Sequence, residues 1–258
     1  MGKKRILYID TVGEKREEQN AIREYLNQHL SEDCESIEVT SLGRGPLNME
    51  YYTYLTFAGP DIVRIVKQAE NKGYDACIIG CFCDPSLDAA KEACDRMVVV
   101  GVMEAAVHLA SYLAPKFSII AARWKSVADF QVNLDKYGLS NRLASFRSLE
   151  VRVEDLQSDC NVTHDRMRQE IKIAIEEDGA EAIILGCTLQ MGHYTELQTE
   201  FGVPVIDVQL AGLLLADQLI DARNKYGWFT SKICSYITPP KGVLTSQGLA
   251  DKYGFDDF

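Results

Sequence analysis

Histidine and tryptophan are scarce in this 258-residue chain, at four and two respectively. His29, His108, His164 and His193 are scattered and form no metal-ligand spacing, so no metal centre is expected. Positive charge is also short: 27 Lys+Arg against 38 Asp+Glu leave a net charge of −11 and a pI near 4.9. No long basic stripe offsets that balance, which argues against nucleic acid and against an anionic membrane surface as partners. Long apolar runs are missing as well, and none approaches the roughly 20 residues that a bilayer span requires. The opening Lys3-Lys4-Arg5-Ile6-Leu7-Tyr8-Ile9-Asp10 reaches an acid too early for a signal peptide, so a cytoplasmic location is expected. The nearest glycine cluster, Gly43-Arg44-Gly45-Pro46, is neither a phosphate loop nor a dinucleotide fingerprint and reads as a turn. Neither a Gly-x-Ser-x-Gly elbow nor a lysine paired with a phosphate cup is found, and the expected cofactor complement is none.

Eight cysteines are present. In a reducing compartment they read as free thiols, and Cys77-x3-Cys81-x-Cys83 fits no common zinc pattern. Short apolar runs alternate with segments of helical period, the pattern of a parallel sheet flanked by helices. Predicted strands fall at residues 5–10, 36–41, 75–81, 97–100, 117–122, 145–152, 181–187 and 203–207. Helical period marks residues 14–30, 60–72, 104–113, 161–177 and 208–223. The fold class is α/β.

The chain repeats part of itself. Asp75-Ala-Cys-Ile-Ile-Gly-Cys81 aligns without a gap on Glu181-Ala-Ile-Ile-Leu-Gly-Cys187, an offset of 106 residues. The same offset places Val99-Val100-Gly101-Val102 on Val205-Ile206-Asp207-Val208. Two pseudo-symmetric half-domains are expected, residues 1–105 and 106–215, with residues 216–258 forming a helix end and a tail that packs back on the first half. Open α/β sheets place ligands at the carboxyl ends of their strands, where both Gly-Cys pairs fall. Facing half-domains would then set Cys81 and Cys187 on opposite sides of a cleft holding the active site. Two small residues filling one niche in a duplicated fold is the plainer reading. A thiol and a thiolate on opposite faces of one carbon can remove a proton from one side and return another on the far side, which is racemisation without a cofactor. Helix starts expected after both cysteines favour the thiolate, and their amides can receive charge on a substrate carbonyl.

The segments Gly80-Cys81-Phe82-Cys83-Asp84-Pro85-Ser86-Leu87-Asp88-Ala89-Ala90 and Leu185-Gly186-Cys187-Thr188 resemble the aspartate/glutamate racemase superfamily, most closely its hydantoin (allantoin) racemase branch. The likeness extends through Glu104-Ala105-Ala106, Tyr137-Gly138-Leu139, Arg142-Leu143-Ala144-Ser145, Glu177-Asp178-Gly179-Ala180-Glu181 and Gly202-Val203-Pro204-Val205-Ile206-Asp207. It implies a cofactor-independent isomerase with Cys81 and Cys187 as acid and base, a small-molecule substrate such as a 5-substituted hydantoin or allantoin, and a homo-oligomer. The chain departs from that branch at Ile9-Asp10-Thr11-Val12-Gly13, where Asn-Pro-Asn-Thr is usual, and at Cys83, where glycine is common. Asp10-Thr11 is nearer the Asp-Ser of glutamate racemases, so racemisation of an acidic amino acid is the alternative.

Candidate substrate contacts are Asp10, Thr11, Phe82, Arg123 and Thr188. Helix capping is the competing role for Asp10, Thr11 and Thr188, and a solvated side chain for Arg123. Cys77 reads as core, and Cys83 is near enough to Cys81 to share its oxidation chemistry. His193 follows Cys187 closely and reads as a solvent-facing helix residue, with a catalytic role as the alternative. The aromatic stretch Met49-Glu50-Tyr51-Tyr52-Thr53-Tyr54 reads as a lid, a subunit contact or core. A non-catalytic small-ligand binding protein is the alternative of another class, and a redox thiol protein built on Cys81-x-Cys83 is a third reading.

Overall fold

The computed structural model describes residues 3–14, 16–158 and 160–255. Residue 15, inside the predicted first helix, and residues 256–258 of the predicted tail lie outside the described residues. Strands β1 (Lys4–Asp10), β2 (Cys34–Ser41), β3 (Ala76–Gly80) and β4 (Val98–Gly101) form one parallel sheet in the order β2-β1-β3-β4. Strands β5 (Phe117–Ala121), β6 (Leu143–Ser148), β7 (Ala182–Leu185) and β8 (Val205–Asp207) form a second in the order β6-β5-β7-β8. One strand order is thus built twice, with β3 and β7 in corresponding places. The eight predicted strands are all present, with ends displaced by a few residues. Central strands of a parallel sheet bury both faces, which is why β1, β3, β5 and β7 are near-continuous apolar runs.

Helices α1 (Arg16–Asn27), α2 (Tyr52–Asn71), α3 (Leu87–Ala93), α4 (Val102–Leu113), α5 (Val127–Lys136), α6 (Cys160–Glu176), α7 (Tyr194–Phe201) and α8 (Val208–Tyr226) connect the strands. Helix α2 begins at Tyr52 rather than near Pro60, so Tyr52 and Tyr54 belong to its first turn. Burial of Ala58, Ile62, Ile65 and Val66 along one face carries the helix through the backbone bond that Pro60 cannot donate. The short helices α3, α5 and α7 have too few apolar repeats to stand out in the sequence.

The chain divides into two compact units. One runs through Gly80, resumes over Pro85–Gly101, and resumes again from Leu213; the other comprises Cys81–Asp84 and Val102–Gly212. In the second unit α4 packs on β7 and β8, and Ile120, Leu149, Met167, Ile171, Ile183 and Leu185 form part of the core. Each such side chain contributes roughly 1.5–3 kcal/mol by leaving water. In the first unit the C-terminal segment is fastened by Asp217 to Lys4 (2.6 Å), by Asp75 to Arg223 (2.6 Å) and by Tyr236 to Asp88 (3.0 Å). Asp33, Cys34 and Asp217 converge closely enough to resemble a metal-ligand cluster. The buried Lys4 ammonium, 2.8 Å from Asp33 and 2.6 Å from Asp217, supplies the positive charge there. Among the described residues no helix is long and apolar enough to cross a membrane.

Candidate active site

Both repeated cysteines follow a glycine that its neighbours require. A β-carbon at Gly80 would collide with the ring of Tyr8, a fully buried side chain of β1. At Gly186 it would meet the Ile119 Cγ2 at 2.9 Å and the Ile120 carbonyl oxygen at 3.0 Å, both on β5. Close approach of the adjacent strand therefore fixes glycine at the same point of both sheets. Cys81 is buried directly after β3, and Cys187 is half-buried two residues beyond the end of β7.

The segment after Cys81 does not enter a helix at once, contrary to the sequence expectation. Pro85 disfavours helical geometry at the residue before it, and Asp84 adopts a left-handed φ of 44°. The result is a tight turn closed by the Asp84 amide donating to the Cys81 carbonyl at 2.9 Å, with α3 starting only at Leu87. Helix α5 holds this turn along one face. Asp129, in the first turn of α5, is among the groups that hold the Cys83 thiol protonated. Phe82 meets Phe130 edge to face at 4.8 Å. Asn133 donates its amide to the Cys83 carbonyl at 2.8 Å, and the Tyr137 hydroxyl donates to the Asp84 carboxylate at 2.7 Å. The same carboxylate accepts the amides of Met103 (3.0 Å) and Glu104 (2.8 Å) in the first turn of α4. Burial pushes the Asp84 carboxyl up to about 7, against the opposing pull of these donors. A hydrogen bond with Cys81, reinforced by burial, pushes the Cys83 thiol well above its ordinary range. Sequence reading gave no role to Asp84, Asp129, Asn133 or Tyr137.

After Cys187 the chain does enter a helical turn, Thr188–Gln190, with the Gln190 amide donating to the Cys187 carbonyl at 3.0 Å. Gln209 at the start of α8 donates its side-chain amide to the Thr188 carbonyl at 2.8 Å, and Asp207 accepts the Gly192 amide at 2.9 Å. His193 is half-buried against His164, ring centroids 5.4 Å apart, instead of facing solvent. Burial first, and then His164, lowers its pKa.

The remaining candidates sit at strand ends. Asp10 and Thr11 are buried at the end of β1, and the Asp10 carboxylate accepts from the Gln19 side chain at 3.1 Å. Arg123 follows β5, where its charge helps hold the Glu150 carboxyl down, after larger effects from Ser148 and the Trp124 amide. Cys77 and Cys94 are buried thiols, both pushed up by burial, Cys94 to about 12.

Residues 19–216 match the Asp/Glu/Hydantoin racemase family. The chain belongs to this family. A hydantoin racemase of Pseudomonas sp. (strain NS671) is 37% identical over 208 residues, 79% of this chain and 82% of that protein. The structure of allantoin racemase from Klebsiella pneumoniae aligns with a TM-score of 0.85 at 26% identity, covering 95% of this chain and 98% of its own. Allantoin racemase from Pseudomonas fluorescens aligns at 0.83 and 27% identity, covering 93% and 99%. As a member of the Asp/Glu/Hydantoin racemase family the protein is an isomerase, a racemase. Its duplicated sheets are the fold it shares with those structures.

Proposed function

We propose that this protein racemises a small carbon acid, a 5-substituted hydantoin or an allantoin-type ring, by proton transfer between two cysteines and without a cofactor. The observation that carries the reading is the repetition of Gly-Cys at the ends of β3 and β7, corresponding strands of the two sheets. The names of its relatives support the ring substrate. In such a ring the reacting hydrogen lies on a carbon beside a carbonyl, so its removal gives an enolate that the carbonyl stabilises. One cysteine, as thiolate, takes this proton, and the other, as thiol, returns one to the opposite face. Phe82, Arg123 and Thr188, with Asp10 and Thr11, are assigned to substrate contact. The reaction is placed in the cytoplasm.

Incubating one enantiomer each of a 5-substituted hydantoin, allantoin, aspartate and glutamate in deuterated water tests the reading. Loss of optical rotation with solvent deuterium entering the hydantoin or allantoin is the expected result. Turnover of the amino acids alone would move the substrate to the acidic amino-acid class. No exchange into any of the four would overturn the assignment.

A further inference from the structure

The turn that follows Cys187 carries a glutamine whose side chain is unspent. Gln190 is fully buried, and among the described residues neither its Oε1 nor its Nε2 has a hydrogen-bond partner. Buried polar side chains are almost always paired, because an amide stripped of water and left unmatched is costly. The ordinary structural use of this position is not made. Cys187 caps the Thr188–Gln190 turn, and in a capping box the glutamine three residues on reaches back to the cap's own amide, which would engage Oε1. Gln190 is not paired with Gln209 either. That second buried glutamine donates its side-chain amide to the Thr188 carbonyl at 2.8 Å and to the Met191 sulfur at 3.3 Å, and leaves its own Oε1 without a partner. All of these residues belong to the second unit. Gln209 thus fastens the turn, while a free donor and a free acceptor remain on Gln190, whose backbone amide donates to the Cys187 carbonyl at 3.0 Å.

We propose that Gln190 is a specificity-determining residue that pairs with the N–H and C=O of a cyclic ureide, on the side of the ring remote from the reacting carbon. The proposal rests on the ring substrate and on the role of Cys187 given above. A small ring locks its amide cis, so N–H and C=O point the same way and match the amide of a glutamine through two parallel hydrogen bonds. In a hydantoin the bond opposite the reacting carbon joins the nitrogen between the two carbonyls to the carbonyl between the two nitrogens. That edge satisfies both free atoms of Gln190 at once. The carboxylates of an acidic amino acid accept hydrogen bonds and cannot donate them, so they leave Oε1 unmatched. Gln190 has already lost its water in the folded protein, and pairing with the ring therefore adds bonds without further desolvation of the amide. Solvent does not reach the amide, so the ring enters as the turn between Gly186 and Gly192 opens, and the turn closes over it. The paired edge does not carry the charge that proton removal creates, so the contact is equally strong before and during reaction and acts on KM rather than on kcat.

The test compares racemisation of a 5-substituted hydantoin with that of its derivative methylated on the nitrogen between the carbonyls, alongside urea unfolding. Gln190→Leu should raise KM for the unmethylated ring by about tenfold to a hundredfold and hold kcat within about threefold. Its urea midpoint should rise, because an unmatched buried amide has been replaced by an apolar side chain of similar size. Wild type should favour the unmethylated ring in KM, and Gln190→Leu should treat the two rings alike. A variant that merely distorts the turn raises both KM values and keeps the wild-type preference, which would overturn the proposal. An unmoved KM with a lowered urea midpoint, the signature of a structural glutamine, would overturn it too. If Gln190→Leu fails to fold, Gln190→Met takes its place, and equal KM values for the two rings in wild type overturn the pairing with no variant at all. Wild type that racemises the hydantoin while Gln190→Leu is unchanged removes the Gln190 assignment alone. Wild type that racemises neither ring removes the ring-racemase reading, and this assignment with it.

Discussion

Asp84 and Asp207 satisfy corresponding helix amides from non-corresponding places in the chain. Asp84 accepts the amides of Met103 and Glu104, and Asp207 those of Gln209 (2.9 Å) and Leu210 (3.4 Å). The two amide pairs are related by the 106-residue offset that relates Cys81 to Cys187. The counterpart of Asp207 is Gly101, which has no side chain to offer. In the first half the carboxylate comes instead from the turn behind Cys81, so the cap of α4 and the shape of that turn are a single interaction.

That interaction has a pH dependence of definite sign. The folded-state pKa of Asp84, about 7, lies above its ordinary value of 3.8. The folded protein therefore binds the proton more tightly than the unfolded chain does. Stability from this group is full below the unfolded value and is lost as pH rises toward 7, by at most about 4 kcal/mol. Asp84→Asn cannot titrate, and it turns an amide N–H toward one of the backbone donors. It should destabilise most near pH 4, with the deficit relative to wild type shrinking toward pH 7. Thermal melts of both proteins at half-unit pH steps check this, and a deficit independent of pH would contradict it.

Replacing Gly80 with alanine sets a β-carbon against the ring of Tyr8, which is fully buried and cannot swing aside. Overpacking of this kind costs roughly 1–3 kcal/mol. The longer distances at Gly186 make Gly186→Ala the milder change. Urea unfolding midpoints should rank wild type above Gly186→Ala, and Gly186→Ala above Gly80→Ala.

The duplicated sheets and paired cysteines are legible in the sequence because a central parallel strand is an apolar run and because Gly80-Cys81 and Gly186-Cys187 repeat at one spacing. The support of the Cys81 turn is not. Asp129, Asn133 and Tyr137 recur every four residues, a pattern that an amphipathic helix normally turns to water. Here that face is turned toward Cys83 and Asp84, a pairing across about 50 residues of chain that local periodicity does not encode. One signal was available: the 106-residue alignment sets Gly101 against Asp207, and a missing carboxylate at one helix start points to a substitute nearby.

Thiol reactivity should sort by burial. Cys160 and Cys234 are exposed and should be alkylated first in the native protein, whereas Cys77 and Cys94, both buried with raised pKa values, should resist until unfolding. Racemase activity should track modification of Cys81 and Cys187 rather than of the exposed pair. Dialysis against a strong chelator should leave activity intact, because the proposed chemistry needs only sulfur. Activity lost to the chelator and spared by the alkylating agent would exclude the two-thiol mechanism.

The roles of Cys81 and Cys187 are separable by isotope exchange. Serine in place of either thiol is a far weaker acid and base, so net racemisation should collapse in both single variants. Exchange need not collapse equally, since each variant keeps one competent thiol. In deuterated water that thiol can still remove the proton of the enantiomer that presents its hydrogen to it, and return deuterium to the same face. Cys81→Ser and Cys187→Ser should therefore retain exchange with opposite enantiomers, followed by loss of the substrate proton signal in NMR. If one variant exchanges both enantiomers equally, or if either racemises at the wild-type rate, the two cysteines are not opposed acid and base.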